Sequence, residues 1–192
     1  EKGMVPFTDF KKFTVGGNFT AKLNDKLTAG LTVNYFNDKS DNMPTVGYSN
    51  ENPMQQFIWS ARNVNFSDLR DWRNLPLAPE GTAAAGTPLN WNNNYQNNPY
   101  WVLETNRNTF DRDRIIGNVN LNYAFNKHFS TSGKLMLDQF AMTQTERKGI
   151  GTNSDPAGYY SVTNRRFNEI NAELLFTYKT KFTEDLDFSL TA

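Results

Sequence analysis

The sequence predicts an all-β protein, namely part of a transmembrane antiparallel β-barrel with about six strands in three hairpins and long extracellular loops. Three observations lead to this prediction. Apolar and polar residues alternate through six segments of the chain. The segments are about as long as a tilted strand must be to cross a bilayer, and short connections alternate with long ones.

The first hairpin covers Lys12–Leu23 and Leu27–Tyr35. In both segments the odd-numbered positions are mainly apolar and the even-numbered positions are mainly polar. This period of two is the signature of a strand with one face hidden from water. The turn at 24–26 is short enough for the two strands to pair directly.

Two further hairpins show the same alternation. The second pairs Arg114–Phe125 with Phe129–Phe140, and the third pairs Arg166–Lys179 with Asp185–Ala192 across a turn near Thr180–Glu184. The residues assigned to the apolar face carry no charge. The charged residues of the other face are Lys12, Lys22, Arg114, Lys134, Asp138, Glu169, Glu173 and Asp187. This segregation indicates that the two faces meet very different surroundings.

Alternation alone also fits a soluble β-sandwich, because both architectures hide every second residue. The long connections at 37–112 and 141–165 favour the barrel, whose external loops are long and whose periplasmic turns are short. Aromatic residues toward strand ends, such as Phe13 and Tyr35, match interfacial girdles. Because a closed barrel needs at least about eight strands, we expect residues 1–192 to be part of one barrel domain.

Composition argues against several function classes. The chain has 192 residues, with 20 Lys+Arg, 20 Asp+Glu, no Cys and one His. A net charge near zero without basic blocks argues against nucleic acid as a partner. His128 has no second His or Cys beside it as a metal ligand, and no set of nucleophile and base can be assembled. We therefore expect no enzyme activity, no metal site and no bound cofactor.

The first long connection, 37–112, contains candidate short helices. The apolar residues Met54, Phe57, Ile58 and Ala61 recur at helical spacing, and a further helical start is expected at 65–68. Short helices of this kind would pack over the mouth of a barrel.

The same connection contains an Asn-rich aromatic stretch from Trp91 to Trp101. Aromatic faces beside amide side chains suit sugar rings or peptide backbones, through stacking and hydrogen bonds. The candidate substrate-binding or partner-binding residues are Trp72, Trp91, Tyr95, Tyr100 and Trp101. The alternative is that these rings, together with Trp59, only pack the loop on itself or on a partner protein.

Segments throughout the chain carry a resemblance to a known family. Among them are NPMQQFIWSARNVNFSDLRDW at 52–72, NPYW at 98–101, the RDR run at 112–114 and RFNE at 166–169. Together they resemble the barrel region of SusC/RagA-type TonB-dependent transporters of Bacteroidota. The resemblance implies a barrel of about 22 strands in the cell outer membrane, an N-terminal plug and a TonB contact segment. The plug and the TonB contact are not among these residues.

The resemblance also implies a function, which is TonB-dependent uptake of oligosaccharides or peptides. The implied partners are a SusD-like surface lipoprotein that closes the mouth as a lid, the TonB system and outer-membrane lipid. Two alternatives stay open. One is a SusC-like barrel that serves as a structural subunit of a larger outer-membrane complex without transport. The other is a soluble carbohydrate-binding β-sandwich whose apolar face turns inward.

Overall fold

The computed structural model describes residues 3–192, so the first two residues of the expected barrel domain lie outside the described residues. The described chain is all-β, with six strands in one antiparallel sheet whose order follows the sequence. This order confirms the three predicted hairpins. The strands are β1 Lys11–Lys22, β2 Leu27–Ser40, β3 Arg107–Ala124, β4 Phe129–Lys148, β5 Tyr159–Lys181 and β6 Asp187–Thr191.

Four strands extend further than the alternation predicts. The observed ends are Ser40 for β2, Arg107 for β3, Lys148 for β4 and Tyr159 for β5. Backbone pairing continues here although the regular alternation of apolar and polar residues has ended, so the hydrophobic pattern stops before the strand does. The two long connections therefore shrink to 41–106 and 149–158.

The connection between β2 and β3 contains the only helices among residues 3–192. The α-helices are α1, Pro53–Trp59, and α2, Pro99–Thr105, and single 3₁₀ turns occur at Phe66–Leu69 and Trp72–Asn74. The predicted helix at Met54 and the predicted start at 65–68 are thus confirmed, whereas α2 was not predicted. Among residues 3–192, no helix has the length and apolar character needed to cross a membrane.

The apolar side chains of neighbouring strands share one face of the sheet. Tyr178 of β5 lies opposite Leu190 of β6, and the ring of Phe129 in β4 lies 4.8 Å from that of Tyr178. Many apolar side chains of this face are exposed, with Leu174 62% exposed and Val119 44% exposed. The sheet therefore presents an uncovered apolar face.

The chain divides into two compact units. The first, which we call the loop unit, comprises 1–12, 38–111 and 142–164, and the second, the sheet unit, comprises 13–37, 112–141 and 165–192. No residue of the sheet unit is fully buried. In the loop unit the buried apolar side chains are Leu69, Ala78, Ala84, Trp101, Val102 and Leu103. Fully buried side chains thus occur only in the loop unit among the described residues.

Candidate functional site

Helix α1 of the loop unit places its polar side chains inside and its apolar side chains outside. Asn52 caps the helix by accepting a hydrogen bond from the backbone N–H of Met54 (3.0 Å), and the helix begins at Pro53, which suits its first turn. Gln55 and Gln56 are buried, whereas Met54, Phe57, Ile58 and Trp59 are exposed. The spacing predicted the helix, and the structure shows that its polar face is the one that packs inward.

Helix α2 begins in the same way, at the Asn98-Pro99 pair. The fully buried side chain of Asn98 accepts hydrogen bonds from the backbone N–H groups of Tyr100 (3.0 Å) and Trp101 (3.2 Å). Its amide nitrogen donates to the carbonyl oxygens of Leu69 (3.0 Å) and Leu89 (3.1 Å). One side chain therefore starts α2 and holds two other segments of the loop against it.

Replacing Asn98 by alanine should loosen α2. The change removes the cap, worth about 1 kcal/mol, and leaves two inward-facing carbonyl oxygens without a donor, so we expect roughly 2–3 kcal/mol of local destabilisation in total. Asn98→Asp keeps the capping oxygen but not the donor, and should fall between. Hydrogen–deuterium exchange of the α2 amides in the full-length protein measures this effect. Asn94→Ala, at an exposed position, is the control, and equal exchange in N98A and N94A would contradict the assignment.

Amide side chains also form much of the interior around the two helices. Asn90 donates to the side-chain oxygen of Gln56 (3.2 Å) and to the carbonyl oxygen of Asn97 (3.1 Å), and Gln56 donates to the same carbonyl (3.0 Å). The buried amide residues of the loop unit are Asn42, Asn52, Gln55, Gln56, Asn90, Gln96, Asn97 and Asn98. An irregular loop has many backbone groups without ladder partners, and most of these amides supply missing donors or acceptors. Gln96 is the exception, since both polar atoms of its side chain are buried without a hydrogen-bond partner.

Two asparagines form hydrogen bonds between the two long inter-strand segments, 41–106 and 149–158. Asn97 donates to the carbonyl oxygen of Gly151 (2.9 Å) and accepts from the backbone N–H of Asn153 (2.7 Å). Asn106 accepts from the backbone N–H of Gly149 (2.9 Å). The second connection is therefore tied to the first by specific hydrogen bonds.

A buried ion cluster, which we call the Lys148 clasp, makes the same connection electrostatically. The Nζ atom of Lys148 lies 3.0 Å from Glu51 and 2.7 Å from Asp155, and it donates to the hydroxyl of Ser154 (3.1 Å). Glu51 is only 3% exposed, and it also accepts a hydrogen bond from Ser154. A carboxylate this deeply buried requires a cation partner, and Lys148 supplies it.

The clasp shifts the pKa values of two of its members. Hydrogen bonds from Lys148 and Ser154 hold the pKa of Asp155 below its ordinary value of 3.8. Burial lowers the pKa of Lys148, but its hydrogen bonds to Asp155 and Glu51 outweigh burial and leave that pKa above its ordinary 10.5. Both groups are therefore charged across the neutral range.

The loop unit should stay closed at neutral pH and open in acid. Asp155 contributes stability that is fully present above pH 3.8 and is lost as the pH falls through its depressed folded pKa. Lys148 contributes stability that is present below pH 10.5 and is lost as the pH rises through its raised folded pKa. Spin labels at the exposed positions Val46 and Ile150 should report one constant distance between about pH 5 and pH 9. A transition inside that window would contradict the assignment.

The five predicted binding residues lie in different environments. Trp101 is 7% exposed and packs inside the loop unit, and Tyr95 is 62% exposed. Tyr100 and Trp91 are partly exposed, as is Trp72. The structure therefore does not assemble them into one aromatic platform, and it assigns Trp101 to packing.

Trp72 belongs to a small polar cluster instead. Its indole Nε1 donates to Glu104 (3.0 Å), which Arg73 also contacts, and the Arg73 guanidinium lies 4.3 Å from the centre of the Trp72 ring. Burial raises the pKa of Glu104, but the hydrogen bonds from Arg73 and Trp72 outweigh burial and hold the pKa below its ordinary value. Trp72 is thus held by this ion pair.

An apolar groove of about 350 Å³ lies beside α1 and α2. Met54 and Phe57 from α1 line it together with Tyr100, and the ring of Phe57 lies 5.6 Å from that of Phe66. Of the five predicted binding residues, only Tyr100 lines this groove. The groove and the outward side of α1 are the features of the loop unit best suited to contact another molecule.

Sequence reasoning missed several residues that hold the segments of the loop unit together. They are Glu51, Asn97, Asn98, Asn106 and Lys148. For Asn98 the available signal was the Asn-Pro pair at 98–99, which repeats the pair at 52–53, because Asn at the N-cap followed by Pro starts a helix. No group of three or more His, Cys, Asp or Glu side chains that could hold a metal ion occurs within residues 3–192.

No protein-family model matches the chain, and a search of curated proteins finds no match.

Proposed function

We propose that this chain is part of an outer-membrane β-barrel that crosses the bilayer with the apolar face of its sheet toward lipid. The observation that carries the proposal is the uncovered apolar face of the sheet unit. Its exposed large side chains include Phe19, Leu23, Ile115, Val119, Leu121, Leu135, Ile170 and Leu174. A face of this size in water would be an aggregation or association surface, whereas lipid covers it fully.

The height of the apolar face supports the proposal that the sheet crosses a bilayer. The apolar positions run from Ile115 in β3 to Phe125, the first residue after β3, which is ten residue steps. At about 3.3 Å per residue and a tilt of roughly 40°, this length corresponds to about 25 Å along the membrane normal. That is the height of the apolar band in outer-membrane barrels.

Both ends of the band carry features of a membrane interface. At the tight-turn end, the rings of Tyr123 and Phe125 lie 4.9 Å apart. At the other end Tyr35 donates a hydrogen bond to Asp113, and beyond them the same face turns to the charged pair Lys39 and Asp111, 3.5 Å apart. Rings at the boundary with charges beyond it match the aromatic girdles of membrane barrels.

Fractionation tests the membrane part of the proposal. We expect the full-length protein in the outer-membrane fraction, resistant to urea and carbonate washes and extracted only by detergent. Recovery of the protein in buffer without detergent would contradict the barrel and would favour a soluble β-sandwich.

We propose further that the barrel imports oligosaccharides or peptides with a SusD-like lipoprotein as its lid, as the resemblance to SusC/RagA-type transporters suggests. The apolar groove and the exposed side of α1 support the presence of a partner on the loop unit. Phe57 and Ile58 are 63% and 74% exposed, which is unfavourable for side chains that face only water.

A gene deletion and a co-purification test the import proposal. Deletion should abolish growth on one oligosaccharide or peptide source, and the purified protein should carry a lid lipoprotein. The double variant Phe57→Ser/Ile58→Ser should lose that lipoprotein while remaining in the outer membrane. Normal uptake after deletion, together with other outer-membrane partners, would instead indicate a structural subunit.

A further inference from the structure

A polar cavity of about 320 Å³, which we call the donor cavity, lies on the charged face of the sheet unit near the tight turns. The neighbouring strands β2, β3, β4 and β5 all contribute to it. Its side chains include those of Lys26, Thr28, Asn122, Ser130, Ser132 and Lys179. Each of them carries an N–H or O–H group that can donate a hydrogen bond. Donors therefore form much of the cavity wall.

Two lysines lie on opposite sides of the donor cavity and supply positive charge. Lys26 immediately precedes β2 and Lys179 belongs to β5, so three strand spacings, about 14 Å in all, separate their backbones. Neither lysine forms an ion pair within residues 3–192. The carboxylate of Asp25, which also lines the cavity, is paired with Lys22 at 2.7 Å. The two ammonium groups thus have no counter-charge in this part of the chain.

Neutral donors lie between the two lysines. Ser130 and Ser132 belong to β4 and Asn122 belongs to β3, which are the two strands between β2 and β5. These three side chains form no hydrogen bond within the described part of the chain. The ammonium group of Lys26 donates one hydrogen bond, to the carbonyl oxygen of Phe125 (3.3 Å), and keeps two N–H groups. Charged and neutral donors are therefore both available to a ligand in the cavity.

We propose that the donor cavity binds a phosphate group, either as the free anion or as the ester of a small solute. A phosphate monoester carries a charge of about −1.5 to −2 at neutral pH and has three strong acceptor oxygens. It therefore matches two ammonium groups with hydroxyl and amide donors between them, and lysine binds phosphate as a point charge. The inference goes beyond the proposed import, because the cavity belongs to the sheet whether or not a barrel encloses it.

Other ligands fit the donor cavity less well. A neutral sugar leaves both ammonium charges uncompensated, and a carboxylate brings only one negative charge and two acceptor oxygens. Lysines near a membrane interface also extend their charge into water. That role does not require hydroxyl and amide donors without partners between the two ammonium groups.

Titration of the full-length protein in a neutral detergent tests the cavity with four probes, which are inorganic phosphate, glucose 6-phosphate, glucose and acetate. We expect both phosphate compounds to bind, and we expect glucose and acetate to bind at least about tenfold more weakly. Tighter binding of glucose 6-phosphate than of inorganic phosphate would identify a phosphate ester as the source, and the reverse order would identify the free anion.

Variants of the cavity separate its charges from its neutral donors. Lys179→Gln should raise the Kd for phosphate about tenfold, and the double variant Ser130→Ala/Ser132→Ala should do the same without a change of charge. Lys179→Arg keeps the charge and should bind phosphate nearly as the wild type does. The matched control is Lys134→Gln, because Lys134 follows Ser132 by two residues on the same face of β4 but does not line the cavity.

Several outcomes would overturn the inference. They are a wild-type protein that binds neither phosphate compound, acetate bound as tightly as inorganic phosphate, and an unchanged Kd in the double serine variant. A loss in Lys134→Gln as large as in Lys179→Gln would also overturn it, since general electrostatic attraction would then explain the binding. Fractionation decides the barrel separately, so a protein that inserts normally but shows any of these results loses only the phosphate site.

Discussion

Val119→Arg should prevent stable insertion of the full-length protein into the outer membrane. Val119 is 44% exposed on the apolar face and lies near the middle of the band between Ile115 and Phe125. An arginine at the midplane of a membrane barrel costs about 2–4 kcal/mol, and the cost falls to about 0–1 kcal/mol near the interfaces. The measurement is the yield of heat-modifiable, folded protein in the outer-membrane fraction.

Two matched variants separate a bilayer from a protein core. Asn118→Arg places the same side chain one residue away, on the opposite face, and should leave the yield unchanged. Phe125 lies at the end of the band, so Phe125→Arg should reduce the yield of folded protein much less than Val119→Arg, because the energetic penalty for arginine grows with depth in the bilayer. Equal losses at Val119 and Phe125 would argue against a lipid-facing band.

Lys148→Met should open the loop unit. The change leaves Glu51, which is 3% exposed, as a buried carboxylate without its cation, and removal of one member of such a pair costs about 3–5 kcal/mol. We expect the lower end, about 3 kcal/mol, since Lys148 is 17% exposed. Faster hydrogen–deuterium exchange in residues 149–158 and around Glu51 would report the opening.

The matched control is Lys39→Met. Lys39 pairs with Asp111 at 3.5 Å, but the two side chains are 49% and 46% exposed, and exposed pairs contribute only about 0–1 kcal/mol. The double variant Lys148→Met/Glu51→Gln should recover part of the loss, because it also removes the buried charge. If the single and double variants exchange equally fast, the clasp does not act through Glu51.

The strands and their pairing could be predicted because they depend on residues that are close together in the sequence. In a hairpin such as Arg114–Phe125 with Phe129–Phe140, alternation assigns each residue to a face and the short turn sets the pairing. The extension of β2 from Tyr35 to Ser40 could not be predicted in this way. At residues 37–40 both faces are polar, and backbone hydrogen bonds to the neighbouring strand hold these residues in the sheet without a hydrophobic pattern.

The loop unit was less predictable because its interior is polar. Helical spacing indicated a helix at Met54 and Phe57, and by the usual rule these apolar residues would face inward. The structure buries Gln55 and Gln56 instead, because the surrounding irregular backbone needs donors and acceptors more than it needs apolar contacts. For the Asn-rich stretch 91–101 the sequence left binding and packing open, and the structure adds that Asn97 and Asn98 are buried and form hydrogen bonds inside the loop unit.

The sequence by itself determined the class of the fold, the three hairpins and the separation of an apolar face from a charged face, because each depends on neighbours along the chain. Only the tertiary structure decided which loop residues are buried and which chain segments meet. Asn97 reaches Gly151 and Lys148 reaches Glu51 across long separations in sequence. Such contacts depend on the path of the whole loop, since an amide or an ammonium group can satisfy any backbone group or carboxylate that the fold brings within reach.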